Sequence, residues 1–61
     1  MKSLSAKRKA MFDEVIALFG LEDDRTITFA KLLEYSDISD SFLARFVDSY
    51  KTLADFEMLG L

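Results

Sequence analysis

The sequence predicts an all-α fold: a compact three-helix bundle, helix-turn-helix-like, with a short apolar C-terminal tail or extra helical turn. Three observations carry this. Proline is absent and only two glycines, Gly20 and Gly60, interrupt the chain. Long segments without such breakers favour helices. Apolar residues recur at helical rather than alternating spacing. Ser and Thr stand before apolar runs, where the orphan N–H groups of a first helical turn need an acceptor. One trihelical domain over residues 1–61 follows, with helices over about 4–19, 29–36 and 40–55.

The first helix starts after Ser3 or Ser5, either of which can cap it. Leu4, Met11, Phe12, Val15, Ile16, Leu18 and Phe19 then fall on one broad face. Gly20 is placed at C′, the left-handed position after a last turn. Lys7, Arg8 and Lys9 sit in the opening turns, where cations oppose the helix dipole. As a solvated face this run costs little. As a functional patch it would bind an anion or an acidic partner. Glu22, Asp23 and Asp24 read as a solvent-facing acidic loop. They lack the alternating ligands, internal Gly and terminal Glu of a calcium loop.

The second helix is predicted over about Phe29–Tyr35. Its start is signalled by Thr28 as cap, with Ile27 before it and Leu32 four residues beyond it as a hydrophobic staple. The same arrangement recurs at Ile38, Ser39 and Leu43, so Ser39 caps the third helix and Asp40 suits its dipole. Asp37 is expected to hold a left-handed turn conformation between the two helices.

The third helix has an unusually wide apolar arc. Phe42, Leu43, Phe46, Val47, Tyr50, Leu53 and Ala54 cover roughly 200° at 100° per residue, where a one-sided helix needs about 100°. Contact on two sides follows. Phe42, Phe46, Tyr50 and Leu53 take the centre and are assigned to the core. Val47, Ala54 and Met58 lie at the far edge and, with Leu59 and Leu61, form the expected protein interface. Glu57 would fall within the apolar arc, so the helix is expected to end or bend near Asp55–Glu57.

At 61 residues, with 51% of them apolar and six Phe, the chain carries a heavy core for its size. A domain this small buries only about 60% of its unfolded surface, so self-association would cover part of the remainder. The absence of Cys and His leaves no disulfide, no thiolate nucleophile and no imidazole base, and makes zinc implausible. No catalytic, cofactor-binding or metal site and no small-molecule substrate is expected. No apolar run approaches the ~20 residues of a membrane span, and no apolar stretch follows the N-terminal cations as in a signal peptide. A cytoplasmic location is the expectation. The net charge of −3 and the pI of about 4.7 disfavour nucleic acid as the default partner.

Residues 28–53 resemble the helix-turn-helix of tetracycline-repressor-type transcription regulators. Thr28, Leu32, Ile38, Ser39, Leu43, Arg45, Phe46 and Leu53 sit where that pattern expects similar residues, and Leu18-Phe19-Gly20 resembles the end of the family's first helix. The resemblance implies a trihelical fold and, as an alternative function, a DNA-binding regulator. Lys7, Arg8, Lys9, Lys31, Arg45 and Lys51 would then make the nucleic-acid contacts. Leu33 replaces the small residue expected after Leu32, Asp37 replaces the turn glycine, and Asp40 opens the recognition helix. The leading expectation is a non-enzymatic, self-associating protein-interaction module, a homodimer acting as a small regulator or inhibitor. A fragment or designed mini-bundle with no function of its own is the third reading.

Overall fold

The computed structural model describes residues 4–60, which form three helices and no strand. Helix α1 spans Ala6–Phe19, α2 spans Asp24–Leu32 and α3 spans Asp40–Met58. Ser5 caps α1, its hydroxyl accepting the Arg8 N–H at 3.2 Å; Ser3 lies outside the described residues. Gly20 ends α1 at φ 89°, with its N–H on the Ile16 carbonyl at 2.7 Å. A side chain at that φ would be strained, which is why glycine stands there.

Helix α2 begins five residues before the predicted start at Phe29 and ends at Leu32. Its cap is Asp23, whose Oδ1 accepts the Arg25 N–H at 2.8 Å. Thr28 is therefore an interior residue, and the acidic run is a helix start rather than a solvent loop. Two caps compete at the level of sequence. The earlier one brings Thr26 and Phe29, both essentially fully buried, onto the inner face of one continuous helix. Tertiary burial of this kind overrides local propensity.

Residues 33–39 connect α2 to α3. No non-glycine residue among those described has positive φ, so Asp37 does not hold the left-handed conformation expected of it. Ser39 caps α3 as predicted, accepting the Phe42 N–H at 3.1 Å. Helix α3 does not stop near Asp55. It runs on to Met58 because Glu57, the residue expected to break it, meets the Arg25 guanidinium at 2.6 Å.

The helices run up, down and up. Arg8 meets Asp40 and Glu14 meets Lys51, so α1 and α3 share a direction. Arg25 near the start of α2 meets Glu57 near the end of α3, which sets α2 opposite. Met11, Val15, Phe29, Leu33, Leu43 and Val47 form the core, with Phe12, Phe19, Leu32, Ile38, Phe46 and Tyr50 packed around it. Fully burying one such side chain contributes about 1.5–3 kcal/mol. Tyr50 is the hub of the aromatic layer, edge-on to Phe46 at 5.0 Å and to Phe19 at 5.2 Å between centroids. Arg25 covers the other Phe19 contact, its guanidinium carbon 3.8 Å from the ring centroid.

The wide arc of α3 is thus divided, but the division differs from the prediction. Leu43 and Val47 are the α3 core residues. Phe42 and Leu53, assigned to the core, are half exposed. Val47, assigned to the interface, lies inside the chain's own core and cannot meet another molecule. Tyr35, the expected end of the second helix, lies beyond α2 and is also exposed.

Candidate interaction surface

Two rows of residues run side by side along α3. The inner row is Leu43, Val47, Tyr50 and Ala54, which the rest of the chain covers to differing degrees. The second row is Phe42, Phe46, Ser49, Leu53 and Phe56, spaced four, three, four and three residues apart. A 3.5-residue spacing of this kind is the seam spacing of packed helix pairs. Phe46 leans inward onto Phe29, 6.2 Å between centroids. Phe42, Leu53 and Phe56 retain 50%, 40% and 52% of their exposure. These values are high for residues of their type, which are usually buried.

The row has a continuation at each end. Phe42 lines a shallow open depression with Leu32, Asp37, Ile38 and Ser39. Beyond Phe56, Met58 and Leu59 are 86% and 71% exposed. Ala54 is partly covered by the inner face, and Leu61 lies outside the described residues. Of the expected interface, Met58 and Leu59 are therefore open to a partner, Ala54 is partly so, and Val47 is not. The periodicity of Phe42, Leu53 and Phe56 was present in the sequence. Only the packing tells which of two adjacent apolar rows the chain keeps for itself.

The six cations of the nucleic-acid alternative do not form one surface. Arg8 is turned inward, with a side-chain exposure of 14%. Its Nε donates to Asp40 Oδ1 at 2.9 Å, its Nη1 to the Leu33 and Tyr35 carbonyls at 3.0 and 3.1 Å, and its Nη2 to the Ile38 carbonyl. The guanidinium fork thereby satisfies the Leu33 and Ile38 carbonyls of the α2–α3 connection and adds a second donor to the Tyr35 carbonyl, which also accepts the Ile38 N–H at 3.3 Å. Lys51 pairs with Glu14 at 3.2 Å. Lys7, Lys9, Lys31 and Arg45 are exposed. Sequence reasoning missed the role of Arg8 because its partners lie 25 to 32 positions away.

Electrostatics elsewhere serve the fold. The Asp23 carboxyl is held down at about 2, chiefly by the Arg25 side chain and then by the Arg25 backbone N–H. Hydrogen bonds from Asp23 and then Glu57 push the Arg25 guanidinium above its ordinary value. Burial pushes the Tyr50 hydroxyl up; that group donates to the Arg25 carbonyl at 3.3 Å. Among the described residues no group of three or more His, Cys, Asp or Glu is placed to hold a metal ion, and no helix is long and apolar enough to cross a membrane.

Comparison of the chain with protein-family models, curated proteins and solved structures finds no match.

Proposed function

We propose that the chain is a non-enzymatic protein-interaction module whose contact surface is the outer row of α3. The observation that carries this reading is the half-exposed series Phe42, Leu53 and Phe56 on a helix whose other apolar row is already committed to the core. Removing such a row from water yields roughly 25 cal/mol for each Å² of apolar surface covered. A small regulator or inhibitor acting through a helical surface is the role that suits it. The DNA-binding alternative draws less support, because Arg8 and Lys51 are engaged by Asp40 and Glu14. A helix-turn-helix also uses a turn of about three to four residues, whereas residues 33–39 separate the two helices here.

The test is a chain carrying Leu53→Lys together with Phe56→Lys. On this reading the variant keeps its helical circular dichroism and its thermal midpoint, and loses the concentration-dependent association expected of the parent in sedimentation. A loss of stability comparable to that of a core substitution would mean the row is part of the fold and would overturn the reading.

A further inference from the structure

We infer that the last two turns of α3, residues 52–58, are a hinged segment latched to the rest of the chain by the single ion pair Arg25–Glu57, a conformational device that charge and ionic strength open and close. The inference stands on this end of the helix and does not require the interaction reading of the outer row.

The first observation is an overhang. Arg8 and Asp40 set α1 and α3 level at one end. At the other, Phe19 stands edge-on to Tyr50, 5.2 Å between centroids. Helix α1 stops at Phe19, whereas α3 continues past Tyr50 to Met58. That adds roughly 12 Å of helix. The inner row shows the consequence. Leu43 and Val47 are buried and Tyr50 and Ala54 are half-buried. Glu57, next in the same row, is exposed, as is every residue from 55 to 60. No Cα of α2 lies within 8 Å of one of α3, so these two helices meet through side chains alone. Among the described residues, Glu57 makes the one side-chain hydrogen bond or ion pair that joins α3 beyond Lys51 to another helix.

The second observation is where the two charges stand. Glu57 lies in the last turn of α3 with Asp55, and no cation accompanies them there. Arg25 lies in the first turn of α2. Carboxylates at a helix C-terminus and cations at an N-terminus oppose the dipole. Each residue therefore sits where its own helix disfavours it, and the pair relieves both. Arg25 is held independently of Glu57. Its Nε and Nη2 donate to the Asp23 carboxylate, both at 2.9 Å, and its guanidinium carbon lies 3.8 Å from the Phe19 centroid. Nη1 alone reaches Glu57, at 2.6 Å. The anchor is thus fixed, and the helix end is the moving part. Exposed ion pairs are weak and are screened by salt. Without its partner the last turn keeps two carboxylates against the dipole. Closed and open states therefore lie close in free energy, and a modest change in charge shifts their populations. Phe56, Met58 and Leu59 travel with the segment.

Amide hydrogen exchange followed by nuclear magnetic resonance compares the parent chain with Glu57→Gln and Asp55→Asn. Both residues are exposed, so the variants keep the core, and the Phe29 and Val47 amides serve as internal references. Removing a carboxylate from a helix C-terminus by itself strengthens the last turn. The latch predicts the opposite sign at one of the two positions. Glu57→Gln speeds exchange at residues 56–59 by up to about fivefold, the range of an exposed ion pair, while Asp55→Asn leaves it unchanged or slows it. Raising sodium chloride from about 0.01 M to about 1 M shortens the screening length from ~30 to ~3 Å. This speeds exchange of the same segment in the parent chain and leaves Glu57→Gln unmoved. Unchanged or slower exchange in Glu57→Gln, equal acceleration in Asp55→Asn, or an equal salt response in the parent chain and Glu57→Gln would overturn the latch.

Discussion

Arg8 and Asp40 meet at 2.9 Å across 32 positions of chain, Nε to Oδ1, and this pair fixes where the third helix begins relative to the first. The same guanidinium holds the carbonyls of Leu33, Tyr35 and Ile38. One side chain from α1 thus closes the whole α2–α3 connection, a segment with no regular structure of its own.

Arg8→Ala should destabilise the fold by about 1–2 kcal/mol, because it removes the donors to the part-buried Leu33 and Ile38 carbonyls. Arg8→Lys should recover only part of this. An ammonium is a compact donor and cannot span four acceptors as the planar fork does. Thermal unfolding followed by circular dichroism measures both. A change of less than about 0.5 kcal/mol for Arg8→Ala, the range of ordinary surface substitutions, would show that the clamp contributes nothing.

Val47→Asp should abolish cooperative unfolding, since Val47 is 2% exposed in the core and an unpaired carboxylate there is strongly disfavoured. A folded chain would be expected only if Val47 lay at the interface to which the sequence assigns it. A cooperative thermal transition in the variant would contradict the core described above.

Thr26 is buried with no hydrogen-bond partner for its hydroxyl among the described residues. Thr26→Val keeps the shape and removes the unsatisfied group. A gain of about 1 kcal/mol is expected, at the lower end of the cost of a buried unpaired polar atom. A loss of similar size would mean that the hydroxyl makes a bond in solution.

Acid should weaken the fold through Asp23. Its folded-state pKa of about 2 lies below the unfolded value of 3.8. The contribution is therefore fully present above about pH 4 and is lost as the pH falls through about 2. Asp23→Asn should reduce the pH dependence of the melting temperature in that window. An Asp23 carboxyl titrating near 4 by nuclear magnetic resonance would contradict the Arg25 contacts.

Much of the architecture could be read locally. Ser5, Ser39 and Gly20 act within one helical turn, so their roles follow from neighbours a few positions away. The start of α2 was misplaced because Asp23 and Thr28 both offer a plausible cap, and only the burial of Thr26 and Phe29 selects between them. The end of α3 was misplaced because Glu57 finds a partner in Arg25, 32 residues distant. For the surface, helical periodicity reveals the width of the apolar arc on α3. It cannot say which half the chain covers, since that depends on where α1 and α2 come to rest.

The outer row of α3 as the contact surface is tested most directly by amide chemical shifts recorded from micromolar to millimolar concentration. The account predicts concentration-dependent shifts at Phe42, Arg45, Ser49, Leu53 and Phe56, with the inner face of α1 unchanged. Spectra independent of concentration would contradict self-association through this row, and shifts confined to α1 would contradict the row as the contact surface.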